Sequence, residues 1–271
     1  MNCIICQYPS TAYYSAKVLG KYNVQYFRCN HCKLIFTEKP YWLEEAYSSA
    51  ITRLDIGLVQ RNEFVTPVVQ AVINKWFNPN GRFIDYGGGY GMLVRMMRDR
   101  GLAFYRQDIY CDNLYANSFD IIDVPPFKAE LLTAFEVFEH LPDPIAEMEK
   151  MLTLSDNILF STTVQPAAEI NPELWWYVAP ETGQHVSLYS RASLYELAKR
   201  FGLNYCWNPQ NIHLFSRSNI NNQLFKIVTH PRLCKWYNAL QPHVPSLLES
   251  DYQYIHSQLK EILKSDNLPN I

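Results

Sequence analysis

Arg82-Phe83-Ile84-Asp85-Tyr86-Gly87-Gly88-Gly89-Tyr90-Gly91-Met92 is the stretch that decides the fold. Residues 82–86 read as a short apolar strand ending in an acid, and Gly87 opens a turn. From Met92 to Arg100 the spacing becomes helical, with Leu93, Met96 and Met97 on one side, until Gly101 stops it. Strand, glycine turn and helix form the first unit of a doubly wound α/β sheet, where a ligand sits beyond the C-terminal ends of the strands. Glycine is needed there because the backbone approaches the ligand closely, at angles closed to other residues. The spacing is Asp-x-Gly-x-Gly-x-Gly, not the Gly-x-Gly-x-x-Gly of the dinucleotide fingerprint. A second strand, 103–107, ends in Asp108, 17 residues past Gly91. An acid at that place can accept hydrogen bonds from both hydroxyls of a ribose; a solvated loop acid is its alternative role. Asp85, Gly87, Gly88, Gly89, Gly91 and Asp108 are therefore expected to hold a nucleotide-type cofactor.

Two cysteine pairs stand ahead of this unit, Cys3-x2-Cys6 and Cys29-x2-Cys32, with 22 residues between them. Zinc takes four thiolates in a tetrahedron, and a CxxC turn brings two of them onto one ion. The intervening segments 13–19 and 22–27 read as short strands carrying the two knuckles. A redox dithiol would need only one pair, so a structural zinc ribbon is expected, closed to water and substrate by its four protein ligands. Cys111, Cys206 and Cys234 read as buried inert thiols. The chain has 7 cysteines and begins without a basic start or a long apolar stretch, which points to a reducing, cytoplasmic setting.

Composition narrows the partners. At 271 residues, 48% hydrophobic and 18% charged, the chain has room for one large domain and a small one. A net charge of −2 lacks the basic excess that phosphate contacts demand, which argues against nucleic acid and for a small molecule. No run of 18 apolar residues exists, so no transmembrane helix is expected. The 19 Tyr and 6 Trp suit a site that packs flat rings on a ligand, or simply an aromatic core.

Asp85-x-Gly87-x-Gly89-x-Gly91, followed by Asp108, resembles the glycine motif and the next acidic position of class I S-adenosylmethionine-dependent methyltransferases. The resemblance implies that the glycine loop lies along the amino-acid part of the cofactor and that the acid grips its ribose. It continues in Glu136-Val137-Phe138-Glu139-His140-Leu141-Pro142-Asp143-Pro144, similar to the family's Glu-Val-x-Glu-His-x-x-Asp-Pro, which places Phe135 and Glu136 beside the cofactor. A fifth strand at 157–163 follows where the family has one. As far as about residue 215 the chain also resembles a narrower group with an N-terminal zinc ribbon, found among deoxysugar C-methyltransferases and glycan-pathway enzymes. Residues 41–47, 54–62 and 176–187 carry that likeness. It implies a Rossmann-like sheet of about seven strands. The segment after Asp120, with Pro125 and Pro126, is irregular where a third strand belongs.

Methyl transfer from a sulfonium is an in-line displacement, so the protein must position both partners and, for many acceptors, supply a base. His185, in a polar loop after Trp175-Trp176, is a candidate base or acceptor contact, with a structural role as its alternative. Glu136, Glu139 and His140 would project to one side of a helical turn. Ubiquinone-pathway O-methyltransferases with a similar element use it to hold a divalent metal, and oxygen-rich ligation would suit magnesium. The element also occurs in metal-independent methyltransferases, so magnesium is carried as the exception and Glu139 and His140 as active-site groups. Tyr47 and Arg61 precede the first core strand on a helical stretch, where an arginine can pair with the cofactor carboxylate.

The expected architecture is a zinc ribbon at 1–40, a helical connector at 41–80, the methyltransferase domain at 81–215 and one or two amphipathic helices within 216–271. The helical stripe there is Leu247, Leu248, Tyr252, Ile255 and Leu259, ending in a frayed 266–271. The expected activity is methylation of a small molecule, a sugar or sugar nucleotide, at carbon or oxygen. The alternatives are an RNA methyltransferase whose ribbon binds RNA, and a non-catalytic protein with a cofactor fold.

Overall fold

The computed structural model describes residues 1–48, 52–166, 172 and 174–265; the segment expected to fray, 266–271, lies outside them. Two sheets organise the chain. The first is antiparallel and four-stranded, its first three strands being β1 (Ser10–Val18), β2 (Tyr22–Cys29) and β3 (Ile35–Thr37). Short helix α1 (Leu43–Ala46) and long helix α2 (Leu58–Trp76) then lead into the second sheet.

That second sheet starts with β4 (Arg82–Tyr86), which passes through the glycine turn into α3 (Met92–Arg98) and on to β5 (Ala103–Gln107). Then come β6 (Leu131–Phe135), α4 (Pro144–Leu154) and β7 (Asn157–Ser161). Asp143 caps α4 by accepting from the amides of Ile145 and Ala146, with Pro144 at the first helical position, where no amide is needed. A two-residue strand, β8 (Ser187–Leu188), precedes α5 (Arg191–Arg200), β9 (Asn204–Trp207) and β10 (Ile212–Ser216). Helices α6 (Asn222–Val228), α7 (Leu233–Ala239) and α8 (Leu248–Ser265) close the described chain.

The strand order is β5-β4-β6-β7-β10-β9, with β5, β4, β6 and β7 parallel and β10 antiparallel to both its neighbours. The chain runs outward from β4 to β5 and then returns to the other side of β4 with β6. A crevice therefore opens beyond the C-terminal ends of β4 and β6, at the switch point where such sheets bind ligands. Six strands, not seven, form this sheet among the described residues. The third strand shrinks to one parallel bridge, Arg106 to Asp120, after which Pro125 and Pro126 have no amide to extend it.

Apolar side chains cover both faces. Val69, Val72, Phe83, Leu93, Met97, Phe104, Leu214 and Phe225 form one cluster between the sheet and helices α2, α3 and α6. On the other face Ile84, Leu132, Phe138, Met148, Phe160, Leu197 and Phe215 share a cluster with Cys3, Ile5, Cys29, Cys32, Leu34 and Phe36 of the cysteine segment. The later chain also returns to the first sheet: β8 pairs with β3 as its fourth strand, Ile35 opposite Leu188 and Phe36 opposite Ser187.

The C-terminal region differs from the sequence expectation. Three helices replace one or two, because Pro231, Pro242 and Pro245 interrupt the pattern. The stripe expected to pack is exposed at Leu248, Tyr252 and Leu259. Helix α8 docks instead through buried Asp251, which takes two hydrogen bonds from Arg98 (2.6 and 2.8 Å) and a salt bridge from Arg95.

Candidate active site

A cleft of about 990 Å³ occupies the switch point. Its floor is the glycine turn. Gly87 sits at φ +65°, and a Cβ there would lie 2.8 Å from Val137 Cγ2, so the loops after β4 and β6 touch only because residue 87 has no side chain. Gly91 has another task. It opens α3 at φ +83°, where a Cβ would fall 2.6 Å from Asn113 Oδ1, which sets it back against residues 113–116 rather than on the cleft wall.

Two buried groups hold this turn in shape. Arg106, on β5, donates to the carbonyls of Gly89 (2.6 Å) and Cys111 (2.8 Å) while its Nε pairs with Asp120 (2.6 Å). Nothing in the sequence singled Arg106 out, since one arginine within an alternating strand carries no signal of what it faces. Asp85, next to last in β4, accepts from the Thr133 hydroxyl at 2.6 Å. Burial pushes its carboxyl up to about 7, against the pull of that hydroxyl.

This shift has a consequence for stability. The folded value lies above the ordinary 3.8, so the folded chain keeps a proton that the unfolded chain gives up between about pH 4 and 7. Stability from this group is fully present below pH 4 and falls by roughly 4 kcal/mol as pH rises through 7. Asp85→Asn keeps the acceptor for Thr133 and is expected to remove that slope. Thermal melts of both proteins from pH 4.5 to 8 check it; parallel slopes would show a carboxylate already ionised in the fold.

Asp108 follows β5 and lines the cleft. Its Oδ1 accepts from the amides of Tyr110 and Cys111 (both 2.8 Å), and its Oδ2 from Gly89 (2.9 Å). A carboxylate offers about four acceptor positions. One therefore remains for a ligand hydroxyl, where the sequence reading expected two such bonds. Tyr47, at the end of α1, stacks on Tyr110 with ring centres 4.9 Å apart and roofs the same space. Arg61, in the first turn of α2, also faces the cleft, but its Nη2 donates to both oxygens of Asp55 at 2.8 Å. The arginine expected to meet a cofactor carboxylate thus already holds a carboxylate of the chain itself.

The far end of the cleft is built by the segment after β6. Phe135 ends the strand, and Glu136 stands at φ +53°, a conformation costly for a residue with a Cβ. Ser161 holds it there: the hydroxyl donates to Glu136 Oε1 (2.6 Å) and accepts from the Glu136 amide (3.0 Å). A 3-10 turn, Phe138–His140, follows. Glu136 consequently does not share a face with Glu139 and His140, as a continuous helical turn would have required. The partner that joins them is His185, brought by the loop before β8: ligand atoms of Glu139, His140 and His185 all lie within 4.8 Å of one another.

Glu139 is 0% exposed, and neither carboxylate oxygen has a partner at good hydrogen-bond geometry, the Tyr177 and Thr162 hydroxyls being its nearest polar neighbours. Burial, and then the charge of Glu136, push its carboxyl well above the usual range. Burial takes the His140 imidazole down to about 3, helped by His185, and also lowers His185. The His185 Nδ1 lies 2.6 Å from the Tyr177 carbonyl. A carbonyl only accepts, so Nδ1 carries the proton and the Nε2 of the neutral ring keeps its lone pair.

Outside the cleft the four cysteines converge. Cys3 and Cys32 sulfurs are 3.6 Å apart, Cys6 and Cys29 3.5 Å, and all four lie within 4.8 Å of one another. Zinc–sulfur bonds of about 2.3 Å at tetrahedral angles space sulfurs roughly 3.8 Å apart, close to these separations and far from a disulfide. The two knuckles match in backbone as well. Gln7 and Lys33, each just after a pair, take positive φ (62° and 64°) and donate to the carbonyls of Cys3 and Cys29.

Residues 59–207, more than half of the chain, match the family model described as "Methyltransferase domain". The chain belongs to this family and has a Rossmann-like α/β fold. Among solved structures it is similar to the mitomycin 7-O-methyltransferase MmcR (13% identity, TM-score 0.39, covering 56% of this chain and 52% of that one). It is also similar to CalO1, a methyltransferase in calicheamicin biosynthesis in SAH-bound form (14%, TM-score 0.42, 65% and 61%). A third is the magnesium protoporphyrin IX methyltransferase ChlM from Synechocystis PCC 6803 with bound SAH (14%, TM-score 0.44, 66% and 98%). The chain thus spans about half the length of MmcR. No curated protein matches it.

Proposed function

We propose that the chain is an S-adenosylmethionine-dependent methyltransferase acting on a small-molecule acceptor, a sugar or sugar nucleotide, at carbon or oxygen. The observation that carries the reading is one continuous cleft with a cofactor-type floor at one end and a polar, histidine-bearing pocket at the other. The glycine turn fits an adenosyl amino-acid cofactor, since Gly87, Gly88 and Gly89 line the cleft with backbone and no side chain of their own. Gly87, Gly88 and Gly89 would hold it through backbone, Asp108 through its free acceptor position, and Phe135 and Glu136 along its edge. Tyr47 would roof it, and Arg61 would exchange Asp55 for its carboxylate. When bound, S-adenosylmethionine supplies a methyl group on a sulfonium. Glu139, His140 and His185 then face the acceptor and orient its reacting atom, while the aromatic roof excludes water.

Zinc in the cysteine site is part of the same proposal, with a structural role. Cys3, Cys6, Cys29 and Cys32 would supply four thiolates to a tetrahedral ion, and the knuckles that carry them pack in the same apolar cluster as the main sheet.

Calorimetric titration with S-adenosylhomocysteine beside NAD tests the cofactor: one saturable site for the first and no heat from the second is expected. Labelled S-adenosylmethionine offered with a panel of keto- and hydroxy-sugar nucleotides tests the acceptor. Transfer to none of them would remove the sugar assignment while leaving the reaction class in place.

A further inference from the structure

We propose that Glu139, His140 and His185 form a second metal site, holding a divalent first-row transition ion such as zinc, cobalt or manganese at the acceptor end of the cleft. Three observations converge on it. Ligand atoms of the three side chains lie within 4.8 Å of one another, although two come from the turn after β6 and one from the loop before β8, 45 residues later. The Glu139 carboxylate is fully buried, with the Tyr177 and Thr162 hydroxyls near it but neither at good hydrogen-bond geometry, and His140 Nδ1 is likewise buried without a partner. Buried polar atoms left unbonded are rare, and a missing ion is one of the few things that explain them. The third observation is the tautomer of His185. Its Nδ1–H is tied to the Tyr177 carbonyl at 2.6 Å, which aims an Nε2 lone pair away from that bond. A backbone carbonyl on the distal nitrogen is how metal-bound histidines are oriented.

The donor set selects the ion. Two imidazoles and one carboxylate suit borderline transition ions, whereas magnesium prefers an oxygen shell. Glu136, which would have supplied a second carboxylate, is held by Ser161 instead. Three protein ligands leave coordination positions open, unlike the closed cysteine tetrahedron, and Glu139, His140 and His185 all line the cleft. The open position would take an acceptor oxygen, a hydroxyl or the carbonyl of a keto-sugar, and lower the pKa of the proton it must release to solvent. This last role rests on the acceptor reading above; ion binding itself does not.

The test uses the full-length chain stripped with chelator under reducing conditions and titrated with Co²⁺. Two equivalents are expected. One gives intense sulfur-to-cobalt absorption in the near ultraviolet, and the other weak visible bands without it. Glu139→Gln and His185→Ala are each expected to abolish the second equivalent and keep the first. Circular dichroism and S-adenosylhomocysteine affinity within about threefold of wild type would show the variants folded. A folded wild-type protein that takes one equivalent, all of it on sulfur, overturns the proposal. Two equivalents without S-adenosylhomocysteine binding would instead leave the metal site standing and remove the cofactor reading.

Discussion

Asp108→Ala is expected to weaken S-adenosylhomocysteine binding at least a hundredfold. The carboxylate gathers three amides, those of Gly89, Tyr110 and Cys111, and so ties the glycine turn to the loop after β5. A hydrogen bond to a charged group contributes about 1.5–3 kcal/mol, and each 1.4 kcal/mol is a factor of ten in affinity. Losing one such bond to the ligand, together with the ordering of the turn that must receive it, reaches two decades. Asp108→Asn keeps the volume and one acceptor oxygen, so an intermediate loss is expected from it. Calorimetry on the three proteins decides the matter. An alanine variant with native circular dichroism and wild-type affinity would mean that the residue only shapes a loop and that the ligand lies elsewhere.

Cys29→Ser should remove the ribbon's zinc, and the damage should spread to the acceptor side of the cleft. Structural zinc contributes on the order of 10 kcal/mol to the folding of small metal modules, so a drop of at least 10 °C in melting temperature is expected. The route of spread is in the hydrogen bonds. Strand β3 pairs with β8, Gln165 Nε2 bridges the carbonyls of Lys33 and Leu188, and the Ser190 hydroxyl donates to the Cys32 carbonyl. The Val186 amide, next to His185, donates to the Glu139 carbonyl. Without the ion these ties lose their anchor, and His185 should move relative to Glu139. The floor of the cofactor site depends on β4, β5 and β6 instead, so S-adenosylhomocysteine affinity should change less than methyl transfer does. Hydrogen exchange resolved by segment reads this directly, as faster exchange at 184–190 with little change at 83–89. Unchanged metal content and melting temperature would refute a zinc role for Cys29.

How far the sequence reached can be followed residue by residue. The glycine turn, the acid after β5 and the paired cysteines are local patterns, because each is a short backbone requirement written in adjacent residues. Their counterparts in the fold are the turn at Gly87, the cap on the loop amides by Asp108 and the sulfur cluster. Of the C-terminal stripe Ile255 packs on the core while Leu248, Tyr252 and Leu259 stay exposed, because apolar spacing does not reveal which face docks, and buried Asp251 ties α8 to Arg98. Glu136 was grouped with Glu139 and His140 because helical spacing was assumed. A positive φ at Glu136 and its bond to Ser161 from β7 keep it out of the Glu139–His140–His185 cluster, although its charge still reaches Glu139.

By itself the sequence determined the class: a strand, a three-glycine turn and a helix of this spacing have few other stable readings, and four thiolates at CxxC spacing favour a metal. Tertiary structure alone decided how these parts combine. Arg106 on the Gly89 carbonyl, Asp55 on Arg61, His185 beside Glu139, and β3 against β8 all join residues whose proximity no local pattern encodes. The physical reason is that such contacts arise from sheet order and apolar burial acting over the whole chain.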